Sequence, residues 1–545
     1  MDTPLYESHP TAVAGTRSFT PALKPSLARA VIAAAALLGI TADAFMRGLQ
    51  PGLGLALWIA LLGVNAVILI WRAGRSVSRE TTLWLCAASV FALATAWRNA
   101  EELQAFDILA TVACLAMAAI ATRDSGAALF ARRLRDTFFT AFEVARGVAI
   151  GMLPLAFREA VPDDSAHHAL GRARSFIRPI VLAAVAVLIF GSLLRGADPI
   201  FASVFAFPAI DLDAVASHVV ISGFFAWIVA GWARAALAHD PVLHRAPAGL
   251  PIRLDIRDVT AALGTLIALF AAFIITQLGW FFGGEAFLRA RTGLTAAAYA
   301  RQGFFQMVWI VVLVVPILVA TRVALGTSRA LARRHTMLAV PLVGLLGAII
   351  ASAMLRLKMY VHFYGLTTDR LYPMVFMLWL AVVLAWLSVT VLRDWGRPFV
   401  AGAVLSGLAA LLTLNAIDPD AIVARVNLDR AQSLPSDAAQ SLDLAHLATL
   451  RGGGVELATR AILQRAAVPA PNKETLDERC DAALSLLKRW GVGSTARARS
   501  QDGGAWRYWN HDDAVALDVV GKNEAALRAI QTASCAKKSE APTPR

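Results

Sequence analysis

The sequence predicts an all-α membrane protein: a polytopic transmembrane helical bundle followed by a small helical C-terminal soluble domain. Of its 545 residues, 58% are hydrophobic and only 16% are charged, whereas an average soluble domain carries about 25% charged residues. In addition, about eleven apolar stretches fill residues 28–415, each close to the roughly 20 residues that a helix needs to cross a bilayer. Inside lipid every backbone N–H and C=O must be paired within the segment, so each stretch has to be helical.

The order of apolar and polar segments divides the chain into five regions. These are a disordered tail over residues 1–27, spans one to four over residues 28–123, a cytoplasmic or interfacial helical segment over residues 124–177, spans five to eleven over residues 178–430, and a helical soluble domain over residues 431–545. The spans themselves are predicted at 28–46, 53–71, 82–97, 103–122, 178–195, 216–237, 258–281, 302–322, 337–356, 371–392 and 398–415.

The segment over residues 124–177 is too polar to cross the bilayer. Its residues 138–157 mix phenylalanines with charged side chains, among them Phe138, Phe142, Glu143 and Arg146. This mixture is typical of an interfacial helix on the cytoplasmic surface, and equally of a cytoplasmic helix packed against the bundle. The sequence leaves both arrangements open.

The distribution of arginine predicts the orientation. Arginines concentrate in the loops that follow even-numbered spans, as at 72–79, 123–135 and 329–334, whereas most loops after odd-numbered spans are poorer in positive charge. Two exceptions lie around Arg291 and Arg356. Because Lys and Arg near span ends favour the cytoplasm, we expect a cytoplasmic N-terminus and a C-terminal domain on the opposite side.

The net charge of +13 does not indicate a nucleic-acid partner. A nucleic-acid binder gathers its basic residues on one face or domain, whereas here they lie in short clusters between apolar runs. The lipid bilayer is the expected partner.

The common signatures of catalysis are missing from the sequence. It contains no phosphate-binding GxxxxGK[ST] loop, no HExxH zinc pair and no GxSxG nucleophile elbow. We therefore expect no enzyme and predict no catalytic residue, metal or cofactor. The candidates are instead polar side chains within spans, because such groups are costly in lipid unless paired or hydrated: Asp43, Asn65, Asp107, His218, Gln277 and Asn415. They can bridge helices by hydrogen bonds or line a transport pathway.

A dense polar group follows span nine. It contains Arg356, Lys358, His362, Asp369, Arg370 and Tyr372. One interpretation is a well-capped turn with aromatic anchors, since Gly365 can end one helix and Asp369 favours the first turn of the next. The other is a basic, aromatic-lined outer pocket for an anion or a lipid head group.

Two cysteines lie in the polar C-terminal region, Cys480 and Cys535. If that region is outside the cytoplasm, they occupy an oxidising compartment and are able to pair. Their spacing alone does not decide whether they do.

Three stretches carry a resemblance to a known family: Tyr299 to Gln306 (YARQGFFQ), Tyr364 to Tyr372 (YGLTTDRLY) and Asn415 to Asn427 (NAIDPDAIVARVN). They resemble the bacterial polytopic membrane proteins of domain-of-unknown-function family 4173, with the neighbouring group 4153. The segment WRYWN, Trp506 to Asn510, looks like an element of the tail in that family. The resemblance implies a bacterial inner-membrane protein without an assigned reaction, and it supplies no catalytic residues.

Two functions remain open from the sequence. The first is a non-enzymatic, transporter-like or sensing membrane protein. The alternative is a membrane scaffold or signalling protein that presents residues 431–545 to a protein partner. An enzyme acting on lipid-linked substrates would need Asp43, Asp107, Arg356, His362 and Arg370 to converge near the outer face, because catalysis requires hydrogen-bond reach.

Overall fold

A computed structural model describes residues 22–47, 51–123, 134–160, 212–238, 255–292, 304–325, 328–390, 399–433, 442–469, 473–500 and 504–539, with positions 183 and 187. In this part of the chain every regular element is a helix, and nine helices are long and apolar enough to cross a membrane. The prediction of an all-α polytopic bundle is therefore confirmed.

The first group of helices comes from the N-terminal half of the chain. It comprises α1 (Pro25–Met46), α2 (Leu53–Arg72), α3 (Arg79–Trp97), α4 (Glu101–Arg123), α5 (Leu134–Ile150), α6 (Met152–Pro154) with the π-helical turn Leu155–Glu159, and α7 (Leu212–Leu237). Small residues allow close packing, as at Gly39 of α1, where a Cβ atom would collide with the backbone oxygen of Ser222 on α7. The core of this group includes Val31, Leu38 and Ile120.

The segment between α4 and α7 is a bent helix. Its two parts meet at 53°, and together they are apolar enough to form one broken span, an arrangement that the sequence analysis excluded. The segment packs against α7: a Cβ at Gly147 would lie 2.6 Å from that of Ala235, and a Cβ at Gly151 would lie 3.2 Å from the Cα of Gly231. Arg234 also bonds Glu159 at 3.0 Å. The described part of this segment is therefore a helix packed against α7.

The second group of helices forms its own apolar core. It comprises α8 (Ile256–Thr292), α9 (Phe304–Ala324), α10 (Arg329–Tyr364), α11 (Thr368–Thr390) and α12 (Phe399–Ile417). Leu263, Val311, Leu342 and Leu387 are fully buried in that core. Gly365 separates α10 from α11 with φ of +79°, a conformation that favours glycine, as expected for a helix that ends in a left-handed residue.

The C-terminal region is a helical domain whose core extends into the bundle. Its elements are α13 (Pro419–Ser433), α14 (Leu444–Leu447), α15 (Gly453–Ala466), α16 (Lys473–Trp490), α17 (Thr495–Ser500), the 3₁₀ turn Ala505–Tyr508 and α18 (His511–Ser539). Ile462, Leu486 and Trp490 pack in one cluster with Val423 of α13 and with Leu366 from the turn between α10 and α11. The domain is therefore built onto the bundle.

Most predicted spans coincide with these helices. Apart from positions 183 and 187, the fifth, at 178–195, lies outside the described residues, as do residues 1–21 of the predicted disordered tail. The eighth corresponds to α9, whose apolar part Gln306–Arg322 is shorter than the other spans. Helix α1 begins at Pro25, three residues before the predicted start, because proline suits the first turn of a helix.

Candidate functional site

The C-terminal domain meets the bundle around Arg98, the residue that ends α3. Its side chain is 12% exposed and forms ion pairs with Asp418, at 2.9 Å, and with Asp512, at 3.2 Å. Its Nε also donates to the backbone oxygen of Asn415 at 2.8 Å. One guanidinium thus joins three parts of the chain, because its planar fork offers five donors.

Two amide side chains hold the end of α3 in position. Gln104 donates to the backbone oxygens of Thr95 and Arg98 at 3.1 and 2.8 Å, and Asn510 donates to the same two oxygens at 2.8 and 3.0 Å. The last carbonyls of a helix have no partner within it, so these bonds satisfy them. Asn510 also accepts from the N–H of Asp512 at 2.9 Å and so orders the start of α18.

A second arginine fixes the start of α15 to the bundle. Arg451 donates to the backbone and side-chain oxygens of Asn99 at 2.9 and 3.0 Å and pairs with Glu101. Its own N–H donates to Asp420 at 3.0 Å. Gly452 directly precedes α15 with φ of +51°, and a Cβ there would lie 2.7 Å from a carboxylate oxygen of Asp512. We call Arg98, Asn99, Asp418, Arg451 and Asp512 the junction cluster.

Burial changes the acidity of carboxylates in and beside the junction cluster. Burial raises the pKa of Asp420 to about 7, although the N–H of Arg451 acts in the opposite direction. Burial also raises the pKa of Asp512 to about 6, against the charge of Arg98. A carboxyl group that loses solvent disfavours its charged form unless a partner compensates. Both carboxyl groups therefore titrate closer to neutral pH than an exposed aspartate does.

Two of the predicted intramembrane residues meet beneath the junction cluster. Asn415 donates to a carboxylate oxygen of Asp107 at 2.8 Å, and both side chains are buried. The other carboxylate oxygen of Asp107, the amide oxygen of Asn415 and the hydroxyl of Tyr372 are buried without a hydrogen-bond partner. Tyr372 packs with Leu103 of α4. This contact joins the two helix groups.

Another predicted pair lies between α1 and α7. His218 contacts the carboxylate of Asp43, which is 7% exposed, and Arg47 lies 3.4 Å from its other oxygen. Tyr508 of the C-terminal domain donates to the backbone oxygen of Arg47. The pair is thus connected to the docked domain.

The remaining predicted intramembrane residues have structural partners. Asn65 donates to the backbone oxygen of Leu61 at 2.9 Å, within its own helix. Arg356 of α10 donates to Gln277 of α8, and both side chains are buried.

The structure does not assemble the polar group predicted after span nine into one pocket. Arg356 lies in the contact with α8, and Tyr372 is buried against α4, because residues along a helix face different neighbours. The other side chains are exposed or half-buried: Lys358, His362 and Asp369 are exposed. Arg370 donates to the carbonyl of Gly365 and covers the ring of Tyr360 at 4.3 Å. This arrangement matches the well-capped turn rather than the anion pocket.

The two predicted cysteines are bonded to each other. Cys480 of α16 and Cys535 of α18 form a disulfide with Cα atoms 5.2 Å apart. It clamps two helices of the C-terminal domain, whereas Cys86 and Cys114 in the bundle are free thiols.

The first helix group also contains an apolar cavity of about 590 Å³, which sequence reasoning missed. It lies among α1, α2, α4, α5 and α7, and apolar side chains such as Leu62, Val144 and Phe225 line it. Its exposed lining residues lie on α4, where Ile108 and Val112 are 39% and 57% exposed, and on α5, where Ala141 and Ala145 are exposed. Its volume is within the about 300–1,000 Å³ range of ligand cavities.

The few polar groups of the cavity wall already have partners. Trp58 donates its indole N–H to a carbonyl of α1 at 2.9 Å, and Trp232 donates to a carbonyl of α4 at 3.0 Å. Thr111 donates to a carbonyl of its own helix at 2.8 Å. The cavity therefore offers a ligand only apolar surface.

The C-terminal domain reaches one end of this cavity. Met46 and Pro51 line that end, and directly beside them the N–H of Leu53 donates to the backbone oxygen of Trp509 at 3.2 Å. Phe45 meets the ring of Trp506 edge-on, with ring centroids 5.3 Å apart. The Trp506–Asn510 segment, singled out in the sequence, thus docks the domain onto α1, α2 and α3.

Two further stretches that carry the resemblance meet through one asparagine. The side chain of Asn427 accepts from the N–H of Leu366 at 2.8 Å and donates to its carbonyl at 2.7 Å. Arg430 donates to the backbone oxygen of His362 at 3.0 Å. Residues quoted as motifs from two distant segments therefore bind each other where bundle and domain join.

These features define a polytopic helical membrane protein whose C-terminal domain is packed onto one end of the bundle. The family described as "Domain of unknown function (DUF4153)" matches residues 85–461, more than half of the chain, so the protein belongs to this family. The number 4173, named first from the sequence, is not confirmed; the neighbouring group 4153 is the one that matches. No curated protein and no solved structure matches the chain.

Proposed function

We propose that the protein is a non-enzymatic, transporter-like or sensing protein of the bacterial inner membrane that takes up a lipid acyl chain in its apolar cavity. The observation that carries this proposal is the cavity of about 590 Å³ whose polar wall groups are all engaged in hydrogen bonds to the protein. A ligand with buried polar groups would leave them unpaired there, at a cost of about 1–3 kcal/mol each.

The position of the cavity favours a membrane lipid over a soluble ligand. Its walls are helices with the length and composition of membrane spans, and Ile108 and Val112 expose its open side. A side opening at that depth faces hydrocarbon, from which an acyl chain enters without crossing water. The docked C-terminal domain at the outer end is suited to register whether the cavity is occupied.

The positions of the polar residues support a non-enzymatic role. The residues on which a lipid-modifying enzyme would depend have separate partners: Asp43 with His218, Asp107 with Asn415, Arg356 with Gln277, and Arg370 with Gly365. Each is used to join helices or to close a turn, and general acid and base groups need a common substrate within hydrogen-bond reach.

The proposed orientation is a cytoplasmic N-terminus and a periplasmic C-terminal domain. Two features support it: the disulfide Cys480–Cys535, which suits an oxidising compartment, and the basic residues at the opposite end of the bundle, where Arg75 donates to the carbonyl of Thr122 at 2.6 Å. In intact cells, modification of the half-buried Cys535 by a membrane-impermeant maleimide should require prior reduction and no permeabilisation. Modification only after permeabilisation would refute the orientation.

Photolabelling tests the cavity. We expect a diazirine-tailed phosphatidylcholine in nanodiscs to label the segments 108–116 and 141–148 preferentially. Ala145→Trp, which fills the cavity, should abolish this preference, whereas Ala409→Trp on the exposed face of α12 should keep it. Equal labelling of all exposed spans, unchanged by Ala145→Trp, would show ordinary boundary lipid and refute the proposal.

Reconstitution separates moving a lipid from sensing it. Proteoliposomes containing a fluorescent phospholipid are treated with an external quencher. If the quencher also reaches lipid that began in the inner leaflet, and Ala145→Trp abolishes this quenching, the protein moves lipid between leaflets. Acyl-chain labelling without such movement indicates sensing.

The second candidate is the scaffold that binds a protein partner through residues 431–545. The observation in its favour is a pair of large apolar side chains exposed on the C-terminal domain, Leu484 at 43% and Val492 at 63%. In vivo crosslinking from these positions should capture one defined partner, and the double variant to serine should lose it. Capture that is unaffected by the double variant would count against this candidate.

A further inference from the structure

A second cleft lies where the last membrane span continues into the C-terminal domain. It has a volume of about 870 Å³ and lies between the end of α12, helix α13 and helix α15. Its wall is amphipathic: Ile417, Ile422 and Leu457 provide apolar surface, and Arg98, Arg425 and Arg460 provide cationic groups. It shares no lining residue with the apolar cavity of the first helix group.

One of the three arginines in the cleft has no ion-pair partner among the described residues. Arg98 is held between Asp418 and Asp512, and Arg460 pairs with Glu456 at 2.8 Å one helical turn away. Arg425 is exposed and has no hydrogen bond or ion pair to any residue that the structure describes. The three lining arginines are accompanied by the lining carboxylates Asp418 and Glu456 and by Asp512, the second partner of Arg98, so Arg425 is the arginine of the cleft without an ion pair to a described residue.

The depth of the cleft relates it to the surface of the membrane. Ile417 is the last residue of the span α12, and it is 44% exposed beside the cleft. Groups at the end of a span lie at the level of the lipid head groups. An arginine at that level is the preferred donor for a phosphate, because its fork binds two oxygens at once.

We propose that this cleft binds the phosphodiester group of a membrane phospholipid, with Arg425 as the main donor, Arg460 as the second, and the isoleucines against the upper part of the lipid. Arg425, which pairs with no carboxylate of the described residues, supplies one positive charge for the single negative charge of a phosphodiester. The apolar wall distinguishes a lipid from free phosphate. This site does not depend on the acyl-chain cavity.

Titration of the full chain in detergent tests the proposal. The probes are dihexanoyl phosphatidylglycerol and inorganic phosphate, with affinity measured by native mass spectrometry or thermophoresis. Loss of a charge-assisted hydrogen bond corresponds to about tenfold in affinity, so Arg425→Gln should weaken phosphatidylglycerol binding about tenfold, and Arg425→Lys, which keeps the charge but loses the fork, by less. Arg460→Gln should weaken it two- to fivefold.

The chain supplies a matched control in Arg528, which pairs with Glu524 one turn away at 2.7 Å, as Arg460 does with Glu456. Arg528→Gln and Ala145→Trp should leave the titration unchanged, so that this proposal and the acyl-chain proposal fail separately. Equal affinity of Arg425→Lys, Arg425→Gln and the unaltered protein would overturn the site. Competition by inorganic phosphate at the same concentration as the lipid would overturn its assignment to a lipid.

Discussion

Replacement of Arg98 by glutamine should detach the C-terminal domain from the bundle. The arginine side chain is 12% exposed, and its partners Asp418 and Asp512 are 14% and 7% exposed. Glutamine fills part of the space but carries no charge, so both carboxylates lose their cation. The variant therefore leaves buried charge uncompensated rather than removing one surface contact.

The expected magnitude follows from that burial. Removing one partner of a buried ion pair costs about 3–5 kcal/mol. Because Asp418 keeps some access to water, we expect the lower end, about 3 kcal/mol, which shifts the docking equilibrium by roughly two orders of magnitude. Arg98→Lys keeps the charge but loses the fork, and its shift should be intermediate.

Two amide protons report docking directly. The N–H of Leu53 donates to Trp509, and the N–H of Asn99 donates to Asp512, both at 3.2 Å. Hydrogen exchange of the full chain should show both amides exchanging about 100-fold faster in Arg98→Gln. Arg528→Gln, which removes the ion pair between an exposed arginine of α18 and Glu524, should leave the exchange of both amides unchanged. Unaltered protection at both amides in Arg98→Gln would refute the role assigned to this arginine.

Three further predictions concern pH, the disulfide and helix packing. Burial raises the pKa of Asp420 to about 7, so between about pH 4 and 7 the folded state binds more protons than the unfolded state, and stability falls as pH rises. The thermal midpoint of unfolding should therefore be lower at pH 8 than at pH 5. Asp420→Asn should reduce this difference. Cys480→Ser should lower the free energy of unfolding of the C-terminal domain by about 4 kcal/mol, which is the chain-entropy value for a 55-residue separation. Denaturant unfolding measures this loss, and the unaltered protein with its disulfide reduced is the control that should show the same loss. Gly151→Leu should lower the thermal midpoint of unfolding, because the leucine side chain would enter the space occupied by Gly231. Gly223→Leu should not lower it, because a side chain at Gly223 would meet open space. Equal midpoints for these two variants would contradict the packing argument.

The sequence was sufficient for those features that depend on local chemistry. Hydrocarbon solvates each span separately, so span positions follow from composition, and α1, α2 and α4 lie close to their predicted bounds. The capping of the α10–α11 turn by Gly365 is likewise a local property. A helix was predicted between α4 and α7, but its bend and its combined apolar length were not, because the bend divides it and its charged residues have partners such as Arg234 with Glu159.

The candidate site could be predicted only in fragments. Asp107 and Asn415 were identified separately as costly polar groups in lipid, but their contact joins residues 308 positions apart. Arg98 and Arg451 gave no signal, since a lone arginine in a loop looks like a solvated charge. The WRYWN segment was noticed for its composition, and only the structure shows that its Asn510 closes the end of α3.

The separation of its contacts in sequence has a consequence for biogenesis. Arg98 and Asp512 are 414 residues apart, and a ribosome adding about 5–20 residues per second needs about 20–80 s to make the intervening chain. During that interval the loop that follows α3 has no contact with the C-terminal domain, and water binds its hydrogen-bonding groups. One end of the bundle is therefore completed only after the last helix is synthesised, and a protein truncated by stalled translation would expose this incomplete end to quality-control proteases.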